Sequence, residues 1–217
     1  MEYVKGVLLY FNRNDCQTLF TGAKVRKTIC IIGNRLATLE ARLFTRAICK
    51  KEIFDSCRLI TRCASTIEMI AFEEWKRSKR VIDLVLPSKW IDNPTSLQKK
   101  IISDIQQLGG KLIDFTPPEN NTDSALMTMI HNADLTLVME ISRDHPVISA
   151  SSVLLHRKTS AAFQWAITNQ YNDGCRQLLE TGRVTPIYPP YYFEQLSAFI
   201  KGETFFSETY TQPKLNL

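Results

Sequence analysis

The sequence predicts a three-layer α/β fold built on a mainly parallel central sheet. Short apolar runs rich in β-branched residues alternate with longer amphipathic stretches, which is the pattern of strands joined by crossover helices. The length agrees, because 217 residues with 44% hydrophobic and 23% charged residues suffice for one full domain. This composition excludes a disordered chain and a small disulfide-stabilised protein.

The first predicted unit is a strand, a turn and a helix. Residues 28–33 (TICIIG) are β-branched and end in glycine, which indicates a buried strand running into a tight turn. Residues 38–51 follow as an amphipathic helix. One face of this helix carries Leu39, Leu43, Ala47 and Ile48, and the other carries Glu40, Arg42, Arg46 and Lys50. This order of elements opens nucleotide-binding α/β folds.

The remaining elements continue the alternation over a single domain that spans residues 1–217. Further strands are predicted at residues 58–60, 81–86, 111–115, 135–141 and 163–168. Further helices are predicted at residues 65–80, 95–108, 123–132, 149–159 and 175–181. A hydroxyl residue caps the helix at 95–108, and Gly109-Gly110 ends it. A Pro- and Tyr-rich extension starts at about residue 186 and either packs on the surface or serves a partner.

Positive charge is concentrated in one part of the chain. The net charge is +5, with 14 Lys or Arg against 6 Asp or Glu from Lys24 to Arg80 and 13 against 16 elsewhere. Clustered cations favour an anionic partner such as a phosphate backbone, and they also occur on solvated helix faces. Charge alone leaves both interpretations open.

The cysteines and the hydropathy pattern indicate a cytoplasmic protein. The six cysteines have no C-x-x-C spacing and mostly lie among apolar neighbours, which predicts reduced core thiols without a metal site. No window approaches the roughly 18 consecutive apolar residues that cross a bilayer. We therefore expect no membrane partner and no secretion.

The order of several motifs resembles the DNA-processing protein A family. Residues 28–38 (TICIIGNRLAT) are similar to the segment that opens the Rossmann-like domain of that family, with Gly33-Asn34-Arg35 in the place of Gly-Ser-Arg. Residues 59–75, 80–120, 129–142 and 172–187 then resemble later motifs of the same domain, in the same order. The resemblance covers about residues 8–187 and implies a Rossmann-like three-layer fold.

Two departures from the family pattern affect the expected site. Thr61, Arg62 and Thr66 stand where the family has a Gly- and Ser-rich turn that lets the backbone approach a phosphate. The family's arginine-rich loop has no counterpart between Pro118 and Asn132. The resemblance still implies a non-enzymatic protein that binds single-stranded DNA in recombination or transformation, as a homodimer with a recombinase partner.

The main candidate site is the turn after the first strand. A turn at the carboxyl end of a parallel strand directs the next helix's N–H groups to the ligand crevice, and Arg35 adds a bidentate cation for phosphate. The alternative is a plain turn with an exposed arginine. The phosphate or DNA-binding residues that we predict are Gly33, Asn34, Arg35, Thr38, Arg62, Ser65, Lys89 and Trp90.

Several of these residues also have a structural interpretation. Arg62 either replaces the glycine turn with a cationic side chain or pairs with Glu68. The hydroxyls of Thr38 and Ser65 either contact the ligand or cap helices. Lys89 and Trp90 form a base-stacking platform with a phosphate contact, or the tryptophan is buried over the sheet edge.

No catalytic constellation can be assembled from the sequence. His131, His145 and His156 are scattered, and the chain has no G-x-S-x-G, H-E-x-x-H or Walker motif. We therefore predict a non-enzyme without a cofactor. Two alternatives to DNA binding remain: a sensor of a nucleotide-derived signal that uses the same crevice, and a degenerate interaction protein that has lost its ligand.

Overall fold

Seven parallel strands form a single twisted sheet at the centre of the protein. The computed structural model describes residues 27–87, 91–115, 124–149, 159–167 and 169–203. Within them the sheet order is β4-β3-β2-β1-β5-β6-β7, and every neighbouring pair is parallel. The strands are β1 (Lys27–Gly33), β2 (Cys57–Thr61), β3 (Ile82–Pro87), β4 (Leu112–Phe115), β5 (Leu135–Glu140), β6 (Thr159–Phe163) and β7 (Thr185–Ile187).

Helices cover both faces of the sheet, so the predicted three-layer α/β fold is confirmed. They are α1 (Leu39–Cys49), α2 (Thr66–Arg77), α3 (Ser96–Gln107), α4 (Ser124–Asn132), α5 (Pro146–Ser149), α6 (Asp173–Glu180) and α7 (Tyr192–Lys201). Ala41, Ile67, Ile105 and Leu196 place α1, α2, α3 and α7 in one apolar layer. Residues from α4, α5 and α6 form the opposite layer.

The central strand β1 shows why the sheet is buried on both sides. Ile29 and Ile31 pack in the α1 and α2 layer, whereas Cys30 and Ile32 pack in the α4 and α6 layer. Alternate residues of a strand point to opposite faces, so a continuous β-branched run fills both layers. The strand predicted from TICIIG is therefore correct in position and in environment.

The strand order creates a crevice between β1 and β5. The chain leaves β1 towards β2 on one side and returns to β5 on the other, so the helices after β1 and β5 diverge. Ligands of open parallel sheets bind outside the carboxyl ends of the strands at such a reversal. The turn at Asn34 and Arg35 lies at this rim.

The third helix follows its predicted signals closely. The Thr95 hydroxyl accepts from the Gln98 N–H, and the Gln98 side chain accepts from the Thr95 N–H, which forms a capping box. Gly109 has a φ of +74°, the left-handed conformation that a glycine adopts without strain after a helix. The prediction of a helix at residues 95–108 is confirmed.

The apolar face that we predicted for α1 is wrong except at Ile48, which is buried. Leu39, Leu43 and Ala47 are exposed, and the helix buries Ala41, Thr45 and Cys49 in their place. These buried residues lie on one side of the helix, and all but Ile48 are small. The hydrophobic periodicity favoured burial of the leucines because it depends on the apolar character of each side chain and contains no information on how the helix packs in the fold.

The carboxyl-terminal third also departs from the predictions. The strand expected at residues 163–168 lies earlier, at β6, because Thr159 to Ala162 pair with β5 while Ile167 is exposed. The helix expected at residues 149–159 falls mostly outside the described residues, and α5 ends where that helix should begin. The described part of the extension, from about residue 186 to residue 203, belongs to the sheet and its α1 layer through β7 and α7, and the rest lies outside the described residues.

Two further observations concern membranes and metals. No helix among the described residues has the length and apolar character needed to cross a membrane. The described residues also contain no cluster of three His, Cys, Asp or Glu side chains that could hold a metal ion.

Candidate functional site

The amino terminus of α1 is occupied by a carboxylate of the protein itself. Glu140, buried at the end of β5, accepts from the Thr38 N–H at 2.9 Å and from the Thr38 hydroxyl at 2.7 Å. Thr38 is also the cap of α1, because its hydroxyl accepts from the Ala41 N–H at 3.2 Å. Partial positive charge at a helix amino terminus stabilises an anion, and Glu140 supplies that anion internally.

A second internal carboxylate occupies the turn after β2. The fully buried Glu68 accepts from Arg62 Nε at 3.0 Å and from the Ala64 N–H at 3.1 Å. Ser65 caps α2, with its hydroxyl accepting from the Glu68 N–H at 3.2 Å. The predicted alternatives are thus decided in favour of a pair between Arg62 and Glu68, and of a cap at Ser65.

Asn34 connects the β1 turn to two neighbouring segments. Its side-chain amide donates to the Tyr171 carbonyl at 2.7 Å, and its side-chain oxygen accepts from the Ser142 N–H at 2.9 Å. Its backbone N–H donates to the Glu140 carbonyl at 2.7 Å. Asn34 is buried, so its hydrogen bonds hold the rim of the sheet in place.

Gly33 is needed for close packing against α2. A Cβ at this position would lie 2.3 Å from Cγ1 of Ile67, far inside van der Waals contact. We predicted Gly33 as part of a phosphate-binding turn, and the described neighbour of this glycine is a helix side chain. Gly33 therefore sets the distance between β1 and α2.

His145 completes the packing behind the rim. Its Nδ1 accepts from the Val147 N–H at 3.2 Å, and its ring donates to the Gly33 carbonyl. Burial, and secondarily the nearby positive charge of Arg62, lower the pKa of His145 to about 4. The imidazole is therefore neutral at pH 7 and acts as a structural hydrogen-bonding group.

Arg35 is the predicted site residue that remains available to a ligand. Its side chain is exposed and makes no ion pair with any described residue. Its backbone is fixed, because the Arg35 carbonyl accepts from the Thr66 hydroxyl at 2.6 Å. Lys89 and Trp90 lie outside the described residues. The other predicted site residues, Gly33, Asn34, Thr38, Arg62 and Ser65, are buried or half-buried, whereas Arg35 is exposed.

Arg35 borders a cleft above the crevice that the sequence analysis did not identify. The cleft has a volume of about 450 Å³ and is open to solvent. Tyr171 lines it with an exposed fraction of 43%, and its backbone is held by the bond from Asn34. The other lining residues are Asn34, Leu36, Ser142, Asp144 and Gln170.

The cleft combines groups of opposite character. Arg35 offers a bidentate cation and Tyr171 offers an aromatic surface, the two contacts that single-stranded nucleic acids use. Asp144 is an exposed anion, and hydrogen bonds from the Ser142 hydroxyl and its own backbone N–H lower its pKa. An aromatic residue within the polar segment NQYND was the sequence signal for Tyr171, but its position beside Arg35 required the fold.

Solved structures of two other proteins share this fold. DNA processing protein A from Helicobacter pylori, whose structure was solved for its single-stranded DNA binding mode, matches with a TM-score of 0.62, 17% identity and 83% coverage of both chains. DNA processing protein A from Streptococcus pneumoniae matches with a TM-score of 0.60 and 12% identity over 84% of this chain. The match spans 63% of the length of the S. pneumoniae protein.

These likenesses establish the fold at the level of the Rossmann-like domain. They agree with the family resemblance that we found in the order of the sequence motifs. No protein-family model matches the sequence, and no curated protein matches it either.

Proposed function

We propose that this protein binds single-stranded DNA, without catalysing a reaction, in the cleft that Arg35 and Tyr171 share. The observation that carries the proposal is an exposed arginine that forms no ion pair with a described residue and lines the same cleft as an exposed tyrosine, both on fixed backbone at the carboxyl rim of the sheet. The arginine would hold a backbone phosphate, and the tyrosine would stack on a base.

The internal carboxylates define where the DNA would lie. Glu140 already accepts from the Thr38 N–H and Glu68 from the Ala64 N–H, so a carboxylate of the protein lies in each of the two turns where a phosphate would otherwise bind. The strand would therefore pass above the crevice, over Arg35, instead of entering it. Gly33, Asn34, Thr38, Arg62 and Ser65 then act by positioning that surface.

The biological setting of the proposal comes from the family resemblance and the shared fold. One of the two proteins with this fold is described by its binding of single-stranded DNA. We extend this to the present chain as DNA handling of the recombination or transformation type in the cytoplasm. A recombinase partner and a homodimeric assembly belong to the same proposal.

A titration of a labelled thymidine oligomer at about 50 and 200 mM salt tests the proposal. The affinity is expected to fall roughly tenfold or more over this range if three phosphates are contacted. Arg35→Ala should weaken binding and reduce the slope of log K against log salt by about 0.7. Arg183→Ala is the matched control, since Arg183 is an exposed arginine at the opposite rim, just before β7.

The aromatic contact has its own pair of variants. Tyr171→Ala should weaken binding by about 5- to 100-fold, whereas Tyr171→Phe should retain affinity because it keeps the ring. Equal binding by Arg35→Ala and Arg183→Ala, or the absence of salt-dependent binding, would refute the proposal. A saturable thermal shift with a mononucleotide alone would instead support a nucleotide sensor.

One observation favours a second candidate function. Carboxylates of the protein close both turns, which is what a protein that lost an ancestral ligand would also display. Binding of neither the oligomer nor a mononucleotide would favour this interaction-protein alternative.

A further inference from the structure

Three leucines at the start of α1 are exposed without a structural reason. Leu36, Leu39 and Leu43 have exposed fractions of 79%, 66% and 55%, the largest group of exposed leucines among the described residues. Leu39 and Leu43 lie one helical turn apart, and Leu36 precedes them in the turn after β1. Neighbouring exposed apolar side chains of this size mark an interaction surface, whereas single ones are ordinary. We call these three residues the leucine face.

The leucine face points away from the core. Ala41, Thr45 and Ile48 fill the layer between α1 and the sheet, on the opposite side of the helix from Leu43. Replacing the leucines with polar residues would therefore leave the core unchanged. The exposed part of their apolar area contributes nothing to the stability of the isolated fold.

A groove continues the leucine face towards α2. It has a volume of about 500 Å³ and lies between the two helices, with Leu36, Met69 and Ile70 among its lining residues. Arg46 and Arg77 border it, and both contact Oε1 of the buried Glu74, at 3.3 and 2.7 Å. The other oxygen of Glu74 has no hydrogen-bond partner among the described residues.

Basic side chains predominate beside the leucines. On α1 the exposed Arg42, Arg46 and Lys50 face only one exposed acid, Glu40. Arg35 adds a further cation at the start of the leucine face. The lining of the groove carries Arg35, Arg46 and Arg77 against Glu73 and Glu74, which leaves one positive charge in excess.

We infer that the leucine face and the adjoining groove dock an amphipathic helix of another protein, with apolar residues on one face flanked by Asp and Glu. Apolar anchors would cover Leu36, Leu39 and Leu43, and the acidic flank would meet Arg42, Arg46 and Lys50. Helices bind in grooves by this arrangement of anchors at helical spacing. Complementary charge at the border would set the orientation and the partner.

The charges favour such a partner over a second copy of this chain. In an antiparallel two-fold pair of α1 helices centred on Leu43, each flank meets the same flank of the copy. Arg42 and Arg46 would then face Arg42 and Arg46, and like charges across an interface are repulsive. DNA fits less well, because the leucines offer neither a stacking surface nor a donor.

A labelled synthetic helix of leucine and glutamate, with leucines on one face, is the probe. We expect it to bind the full chain, and Leu39→Ser with Leu43→Ser to weaken binding by about tenfold or more, because each leucine loses buried apolar area. Arg42→Ala with Lys50→Ala should weaken binding and reduce its salt dependence. Ile167→Ser is the control, since Ile167 is 72% exposed and lies elsewhere on the surface.

The outcomes separate this inference from DNA binding. The leucine variants should bind the thymidine oligomer like the wild type, so loss of one activity does not imply loss of the other. The inference fails if the probe does not bind, if a leucine and lysine helix binds equally well, or if the leucine variants bind the probe as the wild type does. A wild-type dimer that these variants dissociate in sedimentation would assign the face to a second copy, and would also overturn the inference.

Discussion

Thr38 donates two hydrogen bonds to Glu140, one from its backbone N–H and one from its hydroxyl, across the crevice between β1 and β5. The carboxylate thereby takes the position at a helix amino terminus that a ligand phosphate occupies in many α/β folds. It joins the cap of the first crossover helix to the end of the fifth strand, two segments 102 residues apart in sequence.

The role of the Glu140 carboxylate as an internal anion can be tested by removing it and supplying a small carboxylate from solution. Glu140→Ala should lower the free energy of unfolding by about 1–3 kcal/mol, because the donors of Thr38 lose their acceptor in a buried place. Formate should restore part of the loss in a saturable manner, as it can bind the vacated donors. Urea unfolding at constant ionic strength, with formate replacing chloride, measures both effects. Equal responses of the variant and the wild type to formate would contradict the role of Glu140.

Gly33 provides a test of packing at the same rim. Gly33→Ala should destabilise the protein by about 1–3 kcal/mol, because its Cβ would overlap Ile67. Adding Ile67→Ala should cost less in the Gly33→Ala background than in the wild type, since the truncated side chain gives the methyl group room. A double-mutant cycle by urea denaturation measures the difference. Strict additivity would show that Gly33 has another role.

Asp144 should limit the affinity of the cleft for DNA. Hydrogen bonds keep this carboxylate charged at neutral pH, and it lines the same cleft as Arg35. Asp144→Asn should therefore strengthen binding of the thymidine oligomer by roughly two- to tenfold at low salt, with a smaller gain at high salt. Glu203→Gln, which removes an exposed carboxylate beyond the end of α7, is the control. Equal gains from both variants would reveal a general charge effect.

The lowered pKa of His145 predicts that part of the protein's folding stability is lost in acid. Burial lowers its pKa from 6.5 to about 4 in the folded protein, so the unfolded chain binds more protons between these values. The stability that neutral His145 contributes is complete above pH 6.5 and is lost as the pH falls towards 4. The loss amounts to about 3 kcal/mol. Urea unfolding from pH 7 to pH 4 measures it.

A variant isolates this histidine from the carboxylates that also titrate in acid. His145→Gln keeps a hydrogen-bonding side chain without a proton to gain, so its stability should fall less steeply from pH 6.5 to 4. Parallel curves for the variant and the wild type would show that His145 is not the group responsible.

Local signals sufficed for most of the architecture. The β-branched run before Gly33 and the capping residues around the helix at 96–107 act over a few neighbours, and both elements lie where the sequence predicts them. The order of motifs also predicted the Rossmann-like fold, because the strands and crossover helices follow one another along the sequence in the order that this fold requires. Arg35 was predicted as a site residue in the same way, as an arginine at the end of the first strand, and the structure places it exposed at the carboxyl rim.

Tertiary structure decided which charged groups are free. Arg62 pairs with Glu68 over six residues, and Thr38 with Glu140 over 102 residues, so the second pairing has no local signal. Tyr171 reaches the cleft only because β5 lies beside β1. The same dependence applies to α1, whose Leu39 and Leu43 face solvent because the core lies against the opposite side of the helix. Periodicity records the size and polarity of residues, whereas exposure and pairing depend on what the fold places opposite them.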